Sequence, residues 1–163
     1  MKTVPALLLL GANLGRRADT LARAVAALRR LPGVRVTQVS RLYETAPVGP
    51  SDRPYLNQAL RIETSRTPMG LLIEAKILEA AAGRRPGPRW DARVLDADLI
   101  AYGREKIRTP WLTVPHPLAH ARAFALAPLA EVAPDWRLRG GTIAARLAAL
   151  KPGPDAVRLA PRR

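Results

Sequence analysis

Val4-Pro5-Ala6-Leu7-Leu8-Leu9-Leu10, closed by Gly11, is a continuous apolar run with no polar residue at every second position. Such a run bounded by glycine reads as a strand buried at the centre of a sheet. Working outward, Asp19 is placed to cap a helix reaching Arg30, because Leu21, Val25, Leu28 and Leu31 recur at helical spacing and Pro32-Gly33 stops it. Val34–Tyr43 alternates like a strand, Ala46–Pro54 is a Pro/Gly loop, and Tyr55–Thr64 alternates again. Thr67-Pro68 opens a second helix, with Leu71, Leu72, Ala75 and Leu78 on one side; it runs to Ala82 and stops at Gly83. Arg84–Arg93 is a basic loop, Val94–Tyr102 a strand, and Arg104–Thr109 a segment that hairpins back. Pro115–His120 is irregular, Ala121–Val132 and Thr142–Leu150 are helical, and Lys151–Arg163 is a Pro-rich basic tail. The order strand, helix, strand, strand, helix, strand predicts an α+β, ferredoxin-like βαββαβ core. Its antiparallel sheet would be packed with helices and followed by a C-terminal helical extension. One domain over 1–163 is expected.

Composition narrows the function classes. With 163 residues, 48% of them hydrophobic, the chain is long and apolar enough to build a core. No cysteine is present, which excludes disulfides and thiolate metal sites. The apolar start lacks the form of a cleaved leader, and no apolar run is long enough to span a bilayer, so the cytoplasm is the expected location. Twenty-seven basic against 13 acidic residues give a net charge of +14, which attracts polyanions. Charge alone does not separate nucleic acid from a phosphorylated small molecule or from a solvated arginine surface.

The sharpest chemical feature is Val94-Leu95-Asp96-Ala97-Asp98-Leu99-Ile100. On a strand, Asp96 and Asp98 project from one face about 7 Å apart at Cα, while Leu95, Ala97 and Leu99 point to the core. Adjacent carboxylates repel, and a divalent cation relieves that repulsion. Oxygen-only ligation shared with substrate phosphates suits Mg²⁺. Read alone, Asp-x-Asp also describes two solvated aspartates. Just upstream, however, Arg84, Arg85, Arg89 and Arg93 sit in a Pro/Gly-hinged loop, and guanidinium groups match phosphate oxygens bidentately. Downstream, His116 lies between Pro115 and Pro117, followed by Arg122 and by Phe124, the only Phe.

Five blocks in order resemble the 6-hydroxymethyl-7,8-dihydropterin pyrophosphokinase family. They are Gly11-Ala12-Asn13-Leu14-Gly15, Tyr43–Gly49 with Tyr55-Leu56-Asn57, Arg89–Asp98, Leu112–His116, and Arg122-Ala123-Phe124. The resemblance implies transfer of the β,γ-diphosphate of ATP to the pterin hydroxymethyl oxygen, with AMP as the other product. It implies that Asp96 and Asp98 hold two Mg²⁺ ions. Arg84, Arg85, Arg93, Thr113, His116 and Arg122 would hold the triphosphate, Arg84 and Arg85 sharing the main phosphate contact in an order left open. Glu79 and Leu99 would lie on the nucleotide side. The pterin would stack between Tyr55 and Phe124, read by Asn57 and the backbone around Thr45, Pro47 and Val48, under a lid carrying Trp90. The pattern departs at Asp91-Ala92, Lys76, Trp111, Pro117 and Ala46. A monomer acting on ATP and the pterin, with no nucleic-acid or membrane partner, is expected. Two rivals are an RNA-binding sheet and a dead scaffold. The first lacks an aromatic-rich recognition strand, and the second is at odds with Asp96, Asp98, Arg93, His116 and Asn57 all being present.

Overall fold

In the computed structural model, which describes residues 2–47, 52–83, 94–151, 153 and 156–161, β1 (Val4–Ala12) lies at the heart of an antiparallel sheet. One edge of β1 pairs with β4 (Tyr55–Thr64) and the other with β5 (Asp96–Tyr102). Because both faces are covered, the run needs no polar alternation. Leu8 and Leu10 enter one core with the helix α1 (Arg17–Arg30) and the helix α2 (Pro68–Ala81). Leu7 and Leu9 enter another with α3 (Ala123–Val132) and α4 (Ile143–Ala149). The protein is thus a mixed α/β structure with helices on both faces of an antiparallel sheet.

Four details depart from the sequence expectation. The predicted strand Val34–Tyr43 is two strands, β2 (Val34–Val39) and β3 (Tyr43–Thr45), both paired with β4. Buried Ser40 makes the break: its N–H donates to Ala59 O and its Oγ accepts from Ala59 N–H, both at 2.9 Å. Asp19 does not cap α1. The helix begins two residues earlier, and Asp19 pairs with Arg16 at 2.7 Å in its first turn, where a negative charge suits the helix dipole. The predicted basic tail contributes β10 (Val157–Leu159), which pairs with β3. The helix predicted from Ala121 starts at Ala123, after a 3₁₀ turn at Ala119–Ala121.

Other predictions hold. Thr67 caps α2 by accepting from Gly70 N–H at 3.1 Å, and Gly83, at φ 92°, ends it in a conformation that suits glycine. Two short hairpins complete the secondary structure of the described residues. One is β6 (Ile107–Arg108) with β7 (Thr113–Val114), and the other is β8 (Arg137–Leu138) with β9 (Gly141–Thr142). Among the described residues the main sheet has six strands, ordered β10-β3-β4-β1-β5, with β2 also on β4. No described helix is long and apolar enough to cross a membrane.

Candidate active site

Register explains how the aspartates reach a common face. Asp96 lies opposite Gly11 and Asp98 opposite Leu9, while Ala97 and Leu99 are buried in the core under α1 and α2. Gly11 in turn lies opposite Asn57 on β4, and Tyr55 opposite Thr45 on β3. Period-two alternation therefore brings residues from four strands to one face. α3 covers part of that face, and beyond α3 it opens as a cleft of about 380 Å³.

One end of the cleft is aromatic and amide-bearing. Tyr55 and Phe124 line it, and Asn57, 4% exposed, donates from Nδ2 to Thr45 Oγ1 at 3.0 Å. That bond fixes the amide orientation. Gly11 leaves room for it, since a Cβ there would stand 3.0 Å from Asn57 Oδ1. Arg122 ends the chain segment before α3, with its guanidinium carbon 5.6 Å from the Phe124 ring centroid, a cation–π contact that links the two ends.

The other end is charged. Asp96, Asp98, Lys76, His116 and Arg122 line it. Burial, then the charge of Arg122, pushes His116 below its ordinary value against the pull of Asp96, which favours the uncharged ring. Its Nδ1 accepts from Leu118 N–H at 3.3 Å, which leaves the ring proton on Nε2 as a donor. The backbone N–H of His116 donates to Ile100 O at 2.8 Å and ties this turn to β5.

The predicted residues do not all converge. Thr113 lies on β7 outside the cleft lining, Pro47 is exposed, and the Leu99 side chain is in the core. Glu79 is on α2, 2% exposed, with Oε1 accepting from Ala97 N–H at 2.9 Å. Val48, Arg84, Arg85, Trp90 and Arg93 lie outside the described residues. Of the departures, Ala46, Lys76 and Pro117 line the cleft, whereas Trp111 is 76% exposed on the β6–β7 turn. The sequence reading gave no site role to Leu9, Gly11 or Leu118, which also line it. Two signals could have pointed to Gly11: a glycine closing a buried strand, and its place at the head of the Gly11–Gly15 block.

The donor set fits a hard cation. Two carboxylates on one face provide anionic oxygens, and no third His, Cys, Asp or Glu among the described residues joins them in a closed cage. Mg²⁺ sites of this open kind are completed by water and substrate phosphate. A larger cleft of about 630 Å³ lies on the opposite sheet face near the start of α1. Its arginines are engaged: Arg17 with Glu44 and Pro54 O, and Arg41 with Glu131.

Comparisons with known proteins agree on a relationship. Residues 7–134 match the family model described as 7,8-dihydro-6-hydroxymethylpterin-pyrophosphokinase. A 2-amino-4-hydroxy-6-hydroxymethyldihydropteridine pyrophosphokinase of Methylorubrum extorquens is 44% identical over 144 residues, 88% of this chain and 91% of the relative. The protein of that name from Bacillus subtilis is 45% identical over 124 residues, covering 76% and 74%. Among solved structures, an HPPK-DHPS in complex with substrates superposes over 91% of this chain with a TM-score of 0.75 at 12% identity. This chain covers 43% of that longer one, and the likeness speaks to fold.

Proposed function

The chain belongs to the 7,8-dihydro-6-hydroxymethylpterin-pyrophosphokinase family, and from that premise we propose that the cleft between Tyr55 and His116 is where it joins its two substrates. The enzyme is the pyrophosphokinase of folate synthesis. It moves the β,γ-diphosphate of ATP onto the hydroxymethyl oxygen of 6-hydroxymethyl-7,8-dihydropterin. The hydroxymethyl oxygen bonds to the β-phosphorus, the bond from that phosphorus to the α–β bridging oxygen breaks, and AMP leaves.

A single observation carries the assignment of the site: one face joins a pinned amide and two aromatic rings to a pair of carboxylates, a histidine and an arginine. The flat pterin would lie between Tyr55 and Phe124, each ring contact adding roughly 0.5–1.5 kcal/mol beyond area burial. Asn57, held by Thr45, would read its donor and acceptor edge, and an analogue lacking those groups would leave a buried amide unpaired. Asp96 and Asp98 would hold two Mg²⁺ ions, which neutralise phosphate charge and ease loss of the hydroxyl proton. His116 Nε2–H and Arg122 would donate to phosphate oxygens, so that the work is alignment of an in-line attack plus charge stabilisation. Arg84, Arg85 and Arg93 would add phosphate contacts and Trp90 closure, with Val48 and Pro47 at the pterin edge and Thr113, Leu99 and Glu79 on the nucleotide side.

The fold is proposed to be the ferredoxin-like core, supported by the antiparallel order β5-β1-β4-β2 and by the two helices that follow β1 and β4. The chain would act as one domain and a monomer in the cytoplasm, on small molecules rather than nucleic acid or membrane. The test is an AMP assay with each component omitted in turn. AMP is expected only when ATP, Mg²⁺ and the reduced pterin are all present. AMP formed equally without pterin, or turnover unaffected by chelation, would sink the reading.

A further inference from the structure

Where α2 packs on β5, the helix brings Leu71 and Ala75 and the strand Ala97 and Leu99 to one apolar core, with Leu95 just before the strand. Glu79 interrupts it with a carboxylate 2% exposed. A buried carboxylate is unfavourable unless its oxygens are paired, and an apolar side chain of similar volume would often stabilise the fold more. Its two oxygens are taken up in a specific way. Oε1 accepts the N–H of Ala97 at 2.9 Å, and Lys76 Nζ, one turn back on the same helix, lies 3.0 and 3.1 Å from the pair.

The position of Ala97 gives this contact its meaning. Ala97 stands between Asp96 and Asp98, at the start of β5, and among the described residues β5 is an edge strand of the sheet. Its N–H, directed to Glu79 rather than to β1, marks the open edge of the strand. Fastening that amide holds the Asp96–Ala97 peptide plane directly, and through Ala97 it limits how the next one, which leads to Asp98, can turn. Glu79 does not act as a third ligand, since no group of three His, Cys, Asp or Glu among the described residues converges on one point. Lys76 is half-exposed and lines the cleft, so it offsets the Glu79 charge on the side nearest Asp96 and Asp98.

We propose that Glu79, neutralised by Lys76, is a positioning residue that sets the spacing and direction of Asp96 and Asp98 for cation binding. This rests on the pyrophosphokinase reading above and gives Glu79, so far placed only on the nucleotide side, a role exerted through the strand. The carboxylate's work is hydrogen-bond acceptance, which predicts that an amide replaces it well and an apolar side chain does not.

The test compares wild type with Glu79→Leu and Glu79→Gln. Three quantities are measured: the ligand-free melting temperature, the affinity of a non-hydrolysable ATP analogue titrated against Mg²⁺ by calorimetry, and pterin affinity. Glu79→Leu is expected to fold with a melting temperature near or above wild type. Its Mg²⁺ half-saturation should rise, and its kcat fall, by about 10–100-fold, the range seen when a residue supporting a metal ligand is lost. Pterin affinity should stay within about twofold of wild type. Glu79→Gln should recover most of the Mg²⁺ response. Unchanged Mg²⁺ half-saturation and kcat in Glu79→Leu overturn the proposal. So does a loss spread equally over melting temperature, pterin and Mg²⁺, and so does a Gln variant as impaired as Leu. If wild type itself makes no Mg²⁺-dependent AMP, the functional reading fails instead, which keeps the two failures apart.

Discussion

Replacing Gly11 with alanine adds one methyl group at the join between the two ends of the cleft. The added Cβ would stand 3.0 Å from Asn57 Oδ1, against 3.4 Å or more for ordinary contact. The amide must therefore withdraw by about 0.4 Å or rotate, the first course falling within the small adjustments that overpacked sites force. It has little freedom to do either, because Asn57 is buried and its Nδ2 already donates to Thr45 Oγ1 at 3.0 Å. Weakening that bond in a buried site costs about 1–3 kcal/mol. Taking a value near 1.4 kcal/mol, pterin affinity should drop by about tenfold, and the melting temperature by about 2–4 °C per kcal/mol for a chain of this size. Calorimetry with the pterin measures the first and a thermal melt the second. Affinity for the ATP analogue serves as the internal control and should hold. A double-mutant cycle isolates the cause: with Asn57→Ala in the background, Gly11→Ala should lose most of its effect. A Gly11→Ala enzyme that binds pterin like wild type would refute the reasoning, and so would an effect of equal size with Asn57 absent.

Asp98→Asn should end detectable AMP formation while leaving the ligand-free melting temperature unchanged or higher, because it removes one of two neighbouring negative charges; a coupled AMP assay and a melt check both. Glu44 is held below its ordinary value of 4.5 by the hydrogen bond from Arg158, against burial and with help from the charges of Arg158 and Arg17. At Glu131, burial would raise the value, but hydrogen bonds from Tyr43 and Arg41 outweigh it and leave the carboxyl low as well. Folded-state values below the unfolded ones mean that this stability is present above pH 4.5 and drains away as pH falls through the folded values. Melting temperature should therefore drop on acidification below that point, and Glu44→Gln should flatten the drop. Leu126→Ala empties a fully buried position on α3, the helix that carries Phe124. It should cost about 2–5 kcal/mol, read from urea denaturation.

Where one physical signal dominated, the sequence could be read directly. The unbroken leucines of β1, closed by a glycine, fitted a buried central strand, and Thr67, Pro68 and Gly83 framed α2 with little competition from tertiary contacts. That Asp96 and Asp98 share one face followed from strand alternation. What escaped depended on partners distant in the chain. Nothing near Ser40 shows that its hydroxyl will take the Ala59 N–H and split a strand. Arg158 looks like part of a solvated tail until Glu44 is placed beside it at 2.6 Å. Glu79 sits on a helix face where a carboxylate ordinarily reaches solvent, and only the packing of α2 on β5 turns it towards Ala97. Strict alternation also fails at Ile100, where the register slips between Leu7 and Leu8, so Ile100 and Ala101 enter the same core.

The central place of β1 bears on how the chain comes off the ribosome. The most apolar segment is made before its partners, since both strands that flank it come much later, one of them after α2. During vectorial synthesis the leucines of β1 have α1 as their nearest shelter, and their backbone edges stay open to any passing strand. Chaperone occupancy of nascent chains should accordingly be highest before residue 64 has emerged and decline again once residue 102 is free to pair.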